Sequence, residues 1–582
     1  MRNLQLGLLA LYILAMVALL FAVFLRLNSE PVFWALYLLI VFLLAVIVFY
    51  ARQHQLLAIL MFDLFLFLLF NIQYPSLYQV DRDTGFESQY ASAIASSGHW
   101  DPRLGTGYAE NYYGYNPLLH FVLAFLTLAT GISTDLLSKF FLIILLRILF
   151  LLLVFRILQE FFARDFNEIS LLGLFLYVIT PRLRIIYVSR RLMAALMILF
   201  ALFCLLQARK SARLRWNILF MVFSFLVIIA DHTLSILFGM LLLGSVVFYA
   251  LLAVLPPIFK SLARAKAFLA FIARFILYAI AWLVWNIWVS PATFAGDIGY
   301  LSKLLAFFSS VQSAGAAVIL YNASQQWLIY ASQGLLALSA ALVLLPLLKP
   351  NKLFQNSDFL TYFAIFSVPG LMLMLYLVQT KWVVLSNITI WLFVIPVSLF
   401  AGLLLYRLKQ SRYVVLRLSA LLLVLVFFAG SILLQYHPNV LFNKPQMLVE
   451  LPEYKSQKII DSAEWLSGYA PGSTVIGDRA VFDIYSTYYG FELAPDDLVK
   501  EVYRSNQTEL EKRFLTRNIL FGAYRHTAKY RKPEFIVVNR DLLFNESYTI
   551  TITNDSLRKF ENSKLLRKVY DNGNIIIYEN LA

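Results

Sequence analysis

Long apolar runs broken by short charged stretches fill the first 435 residues, and the pattern stops at "QYHPNV", 435–440. A helix needs about 20 apolar residues to cross the hydrocarbon core of a bilayer. Runs of that kind fall at 4–25, 32–50, 56–73, 135–158, 169–187, 192–208, 217–231, 233–255, 268–289, 328–348, 359–379, 388–406 and 415–435. One more run, "PLLHFVLAFLTLATG" at 117–131, is shorter, opened by Pro117 and closed by Gly131. The first run exceeds a signal-peptide core and lacks a small-x-small cleavage site, so it reads as an uncleaved span.

Charge decides the short run. If 117–131 does not cross, the basic loops at 209–216, 260–266, 349–352 and 407–412 all face the cytoplasm, as does Arg2. If it crosses, those four loops face outward, against the positive-inside rule. The run is therefore expected to be an interfacial or re-entrant helix, with Leu118, Phe121, Val122 and Phe125 against lipid or the bundle. The fold expected is an α-helical polytopic membrane protein of about 13 transmembrane helices, with the N-terminus cytoplasmic. Its transmembrane domain covers 1–435, with external loops at 74–134 and 290–327.

Residues 436–582 read as an extracytoplasmic α/β domain. "KIIDSAEWLSGYAPGSTVIGD" predicts a helix, a Pro-Gly turn and a short strand. "PEFIVVNRD" predicts a buried strand, and "KVYDNGNIIIYEN" a hairpin turning at Asp-Asn-Gly.

Composition agrees with this division. The chain is 61% hydrophobic with a mean hydropathy of +0.75, well above the roughly 45–50% apolar content of soluble domains. A net charge of +15 in a soluble chain would raise the question of nucleic acid. Here the cations fix topology and meet anionic lipid, so membrane lipid is an expected partner and nucleic acid is not. The lone Cys204 excludes an internal disulfide, and the six histidines show no HExxH or paired Cys/His spacing that would specify built-in zinc.

The first dense polar stretch, "DRDTGFESQYASAIASSGHWDP" at 81–102, lies at the outer mouth of the third span. Asp83-Thr84 predicts a helix start and Gly98 its end, with Phe86, Tyr90, Ala93 and Ile94 on one face. This is a short amphipathic surface helix with carboxylates at its N-terminal end. A loop as long as 74–134, carrying aromatics, two surface helices and acids, exceeds what a connector needs.

The acid at a span mouth, the following surface helix, "G-x-W" and "NPLLHFVLAFLTLATG" resemble the first external loop of the GT-C superfamily. These are membrane glycosyltransferases that use polyprenyl-phosphate-linked sugars. They include lipid A aminoarabinose transferase, protein O-mannosyltransferases and oligosaccharyltransferase catalytic subunits. "EWL…PGSTVIGD" and "VYDNGNIIIYEN" resemble external domains attached to such enzymes. The chain departs from the pattern in three ways. Two extra spans precede the acidic loop. The second external turn reads "YVSRRLM" where relatives often carry an acid. The WWDYG signature is missing, "GDRAVFDIYSTYYG" standing in the comparable region, which argues against transfer of an oligosaccharide to asparagine.

The resemblance implies an inverting transfer of a sugar from a polyprenyl-phosphate donor to a glycan, protein or lipid acceptor on the extracytoplasmic side. Such a reaction needs a base for the acceptor hydroxyl, and positive charge for the departing phosphate from side chains or from a divalent cation. The resemblance maps the base onto Asp81 or Asp83, with Asp81 slightly favoured because Asp83 is the better helix cap. Arg182, Arg184, Arg190 and Arg191, within "TPRLRIIYVSRR", are the candidates for the phosphate, because charge at membrane depth is costly and the arginine fork suits phosphate. Lys381, in a short external turn, is a further cation. Glu87 and Tyr113 in the loop, and His232 in the turn Asp231-His232, are additional candidates, although that turn also reads as a polar helix end. Two other functions compete. A transporter or lipid-linked sugar flippase predicts repeats and paired intramembrane charges, and the sequence shows little buried charge beyond Arg147. A non-enzymatic scaffold leaves the acidic loop without a purpose.

Overall fold

The computed structural model describes residues 2–24, 30–50, 54–71, 82–102, 114–161, 167–179, 189–211, 213–254, 265–291, most of 401–424, most of 457–582 with breaks, and a few isolated positions. The expected spans 328–348 and 359–379 lie outside the described residues. The chain divides into two compact units, Met1–Pro75 with Leu142–Pro438, and Ser76–Phe141 with Asn439–Ala582.

In chain order the helices are α1 (Arg2–Phe24), α2 (Glu30–Tyr50), α3 (Gln55–Asn71), α4 (Arg82–Ser97) and α5 (Leu118–Thr130). They continue with α6 (Thr134–Phe161), α7 (Asn167–Ile179), α8 (Arg190–Ser211), α9 (Leu214–Ala230), α10 (His232–Val254) and α11 (Ala265–Val284). Among the described residues, four stretches are long and apolar enough to cross a membrane: Gln5–Val23, Thr134–Phe161, Arg190–Ser211 and Leu269–Val289. Six shorter apolar helices accompany them.

In the first unit, polar contacts gather at the two ends of α8, a helix of 22 residues and so about 33 Å long. At its C-terminal end Lys210 pairs with Glu160 of α6 at 3.4 Å, and Gln207 donates to the same carboxylate at 2.8 Å. Lys409 pairs with Glu168 at the start of α7. At the N-terminal end Arg190 faces Asp231, the single extended residue between α9 and α10. Between these ends the interior holds an ion pair. Arg147 of α6 binds Asp63 of α3 through both carboxylate oxygens, Nη2 to Oδ1 at 2.7 Å and Nε to Oδ2 at 2.8 Å. The guanidinium lies 5.6 Å from the Phe67 ring centre. Buried charge is therefore not limited to Arg147, as the sequence suggests. Asp63, Arg190 and Asp231 are buried as well, because each has a charged partner that periodicity cannot reveal.

In the second unit the strands are β1 (Thr474–Ile476), β2 (Glu492–Leu493), β3 (Ile519–Phe521), β4 (Lys529–Arg531), β5 (Phe535–Asn539), β6 (Leu566–Asp571) and β7 (Ile575–Asn580). Five of them form a sheet of order β2-β1-β5-β7-β6, parallel from β2 to β5 and antiparallel beyond. Successive side chains of a strand point to opposite faces, and the sheet core divides accordingly. Ile536, Val538, Ile576 and Tyr578 join one apolar cluster, while Phe535, Val537, Ile575 and Ile577 join the other. The helix Gln457–Tyr469 supplies Ile459, Ile460, Ala463 and Leu466 to the second face. The helices Asp496–Arg504 and Asn554–Asn562 cover the first. The predicted helix, buried strand and hairpin all stand where the sequence puts them, with Gly573 at φ +88° in the hairpin turn.

Candidate functional site in the polar loop

Helix α4 ends as its sequence dictates. Gly98 takes φ +73°, a conformation open to glycine, and its N–H donates to the Ile94 carbonyl at 2.9 Å. Its start differs from expectation. The helix begins at Arg82, so Asp83 and Thr84 lie inside the first turn and do not cap it. Acids in a first turn are favoured by the helix dipole without capping geometry, which is why composition alone misplaces the start by a residue or two. The side chain of Asp83 lies outside the described residues, as do Asp81, Tyr113, Arg182, Arg184 and Lys381.

Helix α5 opens after Pro117 and closes at Gly131, whose φ is +72° and whose N–H donates to the Thr127 carbonyl at 2.8 Å. At 13 residues it is about 20 Å long, short of the ~30 Å hydrocarbon core. Leu119, His120, Leu123 and Ala124 are buried, while Phe121, Phe125 and Leu128 stand exposed on another face.

The buried faces of α4 and α5 meet through polar groups. Glu87 and His120 are 1% and 0% exposed, and Oε2 of the carboxylate contacts Nε2 of the imidazole. The Tyr90 ring stacks on His120 with centroids 5.2 Å apart and an interplanar angle of 19°. Nδ1 of His120 has no hydrogen-bond partner among the described residues. The neighbouring Ser88 donates to Asp135 Oδ1 at 2.6 Å, tying α4 to the start of α6. Lys139, in a π-helical turn of α6, is also buried and lies 5.6 Å from the Phe140 ring centre.

The intervening segment is closed by the "HWDP" and "GYNP" stretches. Trp100 donates its indole N–H to the Gly114 carbonyl at 2.9 Å and packs edge-on against Phe121 at 6.1 Å. A β-carbon on Gly114 would fall 2.3 Å from the Pro102 carbonyl oxygen. Only glycine fits that approach.

The first unit carries the other candidates. Arg190 and His232 are 3% and 6% exposed, Asp231 is fully buried, and Arg191 is half-buried. Asp231 Oδ1 accepts from the Leu234 N–H at 2.8 Å, which caps α10, and Oδ2 lies 3.4 Å from Arg190 Nε. Ser189 likewise caps α8 by accepting from Leu192 N–H at 3.2 Å. His232 Nε2 is 3.3 Å from the Thr233 hydroxyl. Arg190 thus sits beside a carboxylate that offsets part of the charge it could present to a phosphate.

Two solved structures align with this chain at low identity. A crystal structure of ArnT from Cupriavidus metallidurans bound to undecaprenyl phosphate aligns over 91% of this chain and 99% of that one, at 10% identity and a TM-score of 0.49. A crystal structure of the Archaeoglobus fulgidus oligosaccharyltransferase complex with Zn and sulfate aligns over 93% of this chain and 73% of that one, at 12% identity and a TM-score of 0.44. No protein-family model matches the sequence, and no curated protein sequence does.

Sequence reasoning missed His120, Asp135 and Asp63 as members of polar clusters. His120 sits in an apolar run and Asp63 in "MFDLFLFLLF". A charged or titratable residue inside such a run was the available signal, since it is retained only with a partner.

Proposed function

We propose that the chain is a membrane glycosyltransferase of the GT-C kind that moves a sugar from a polyprenyl-phosphate donor to an acceptor on the extracytoplasmic side. The acceptor oxygen bonds to the anomeric carbon as that carbon's bond to the phosphate oxygen breaks. A loop carboxylate, Asp81 or Asp83, takes the acceptor's proton, and the electron pair leaves on polyprenyl phosphate. Arg182, Arg184, Arg190 and Arg191 are the groups assigned to the phosphate, and Arg190 also faces Asp231.

The observation that carries the reading is the folded polar loop. The helices α4 and α5 are joined by a buried carboxylate–imidazole contact directly beyond a turn holding Asp83. Burying such groups is costly unless they are paired, so a mere connector would not build this core. The gathering of Glu160, Glu168, Lys210 and Lys409 at one end of α8 supports the orientation that makes the loop external.

The test is release of polyprenyl phosphate from polyprenyl-phosphate-linked glucose, mannose and aminoarabinose by the purified full-length chain. Wild type should turn over one of them, and the combined D81N/D83N variant should express normally and lose turnover. Equal turnover by that variant would sink the assignment of the base. The Asp63–Arg147 pair favours a second reading, transport of a lipid-linked sugar, because paired intramembrane charges mark substrate and ion pathways.

A further inference from the structure

Arg274 is a cation that topology does not call for. It lies five residues beyond Leu269, where the apolar stretch Leu269–Val289 begins, and so about 8 Å inside it. The positive-inside rule counts cations in loops, and a guanidinium at that depth is costly without a partner. Arg274 Nη2 donates to Asn217 Oδ1 at 2.7 Å, in the first turn of α9. Its guanidinium lies 5.7 Å from the ring centres of both Phe220 and Phe271. Arg209, in the last turn of α8, lies 6.0 Å from the centre of the same Phe271 ring. Two like charges thus converge on one ring. A guanidinium has five N–H donors, and Asn217 is a neutral acceptor that offsets none of the charge. Among the described residues no carboxylate pairs with Arg274; the acids at this end of α8, Glu160 and Glu168, are taken by Lys210 and Lys409. Snorkelling alone would carry the guanidinium past the helix end to water, whereas here Asn217 and two rings hold it between α9 and α11.

The surroundings suit one kind of anion. Arg213 and Arg215 add exposed charge at the start of α9. Further from that end, Ile218 and Val222 on α9 and Leu277 and Ile280 on α11 stand exposed. The two helices run side by side: the Arg274–Asn217 bond joins them at one end, and Phe225 meets Trp285 edge-on at 6.2 Å further along. A cationic end that continues into an exposed apolar strip matches a phospholipid, phosphate first and acyl chains after it. We infer that Arg274, Arg209 and Asn217 form a site for the phosphate of an anionic phospholipid, with its chains along the exposed faces of α9 and α11. The phosphate oxygens accept from the remaining Arg274 donors, a match that the planar guanidinium makes better than an ammonium. Basic pockets between membrane helices recognise anionic headgroups in this way. The proposed orientation puts the site in the cytoplasmic leaflet. This lipid is neither sugar donor nor acceptor, and the site stands under either functional reading.

The experiment titrates the purified full-length protein in neutral detergent with phosphatidylglycerol and, separately, with phosphatidylcholine of the same chains. Native mass spectrometry counts the lipids bound. Phosphatidylglycerol should fill its first site at least about tenfold more tightly than phosphatidylcholine. R274Q removes the charge and most of the donors, and should weaken that step by at least about tenfold, the worth of a charge-assisted bond. R209Q should weaken it by about fivefold. R412Q removes an equal charge from an exposed position in the basic loop 407–412, and should weaken it by less than about twofold. Inorganic phosphate, which has no chains, should leave the lipid bound. The inference is overturned if the two lipids bind equally, if R412Q weakens binding as much as R274Q and R209Q do, or if inorganic phosphate displaces the lipid. Should R274Q fail to fold by size-exclusion chromatography, R209Q against R412Q decides alone, because Arg209 stands at a helix end. Sugar-donor turnover plays no part in this readout, so failure here leaves the functional reading untouched.

Discussion

Replacing Asp63 by Asn tests what the buried ion pair does. The side chains of Arg147 and Asp63 are 5% and 7% exposed, and two charge-assisted bonds of 2.7 and 2.8 Å join them. A third bond runs from Arg147 Nη2 to the Asp63 carbonyl at 3.2 Å. D63N keeps the shape but removes the carboxylate charge that the guanidinium binds, which costs about 3–5 kcal/mol when a buried pair is broken from one side. The double variant D63L/R147M removes both charges and fills similar volume. Such replacements are commonly neutral or stabilising, so it should come back to within about 1 kcal/mol of wild type or exceed it. The coupling in the double-substitution cycle should then be at least about 2 kcal/mol. Reversible SDS or thermal unfolding of the full-length protein in detergent gives these differences. The structural account of the pair is refuted if D63N lies within about 0.5 kcal/mol of wild type, or if the double variant is no more stable than the single one. Turnover of the stable double variant separates the two functional readings: a glycosyltransferase retains it, and a transporter that moves charge through this pair loses transport.

In the α/β part, Lys559 Nζ donates to the carbonyls of Val502, Tyr503 and Ser505 at 2.6–2.7 Å, capping the C-terminal end of Asp496–Arg504; K559M should destabilise the fold by about 2–4 kcal/mol by stranding those acceptors, read by protease resistance of residues 457–582 in the intact chain. The Glu511 carboxylate is held below its ordinary value of 4.5 by hydrogen bonds from Ser563 and then Gln507. A carboxyl whose pKa is lowered by folding adds stability above its unfolded pKa, and that stability is lost as pH falls through the folded value. S563A should therefore lower stability at neutral pH and flatten the acid side of the stability–pH curve below pH 4.5, its curve meeting that of wild type at low pH. For topology, Cys204 is the chain's one cysteine and is buried, so introduced cysteines label against a quiet background. Those near Lys210, Lys266 and Lys409 should resist an impermeant reagent from outside, and those in 460–570 should react. External labelling in 209–216 would remove the proposed orientation.

Local chemistry made several elements legible from the chain alone. Gly98, Gly131 and Gly573 end or turn their segments because a positive φ suits glycine. Pro117 opens α5, and alternating apolar residues set the two faces of β5 and β7. Those signals act over a few residues, so a sequence contains them whole. The first turn of α4 was less legible, because Asp and Thr favour both the cap and the turn beyond it. What tertiary structure decided is which charges meet. Glu87 and His120 are 33 residues apart, Asp63 and Arg147 are 84, and Lys559 reaches carbonyls 54 to 57 positions away. Each of these groups is stable in a dry interior only beside its partner. The partner is fixed by how helices pack, and hydrophobic periodicity tells which face is buried but not which element will cover it.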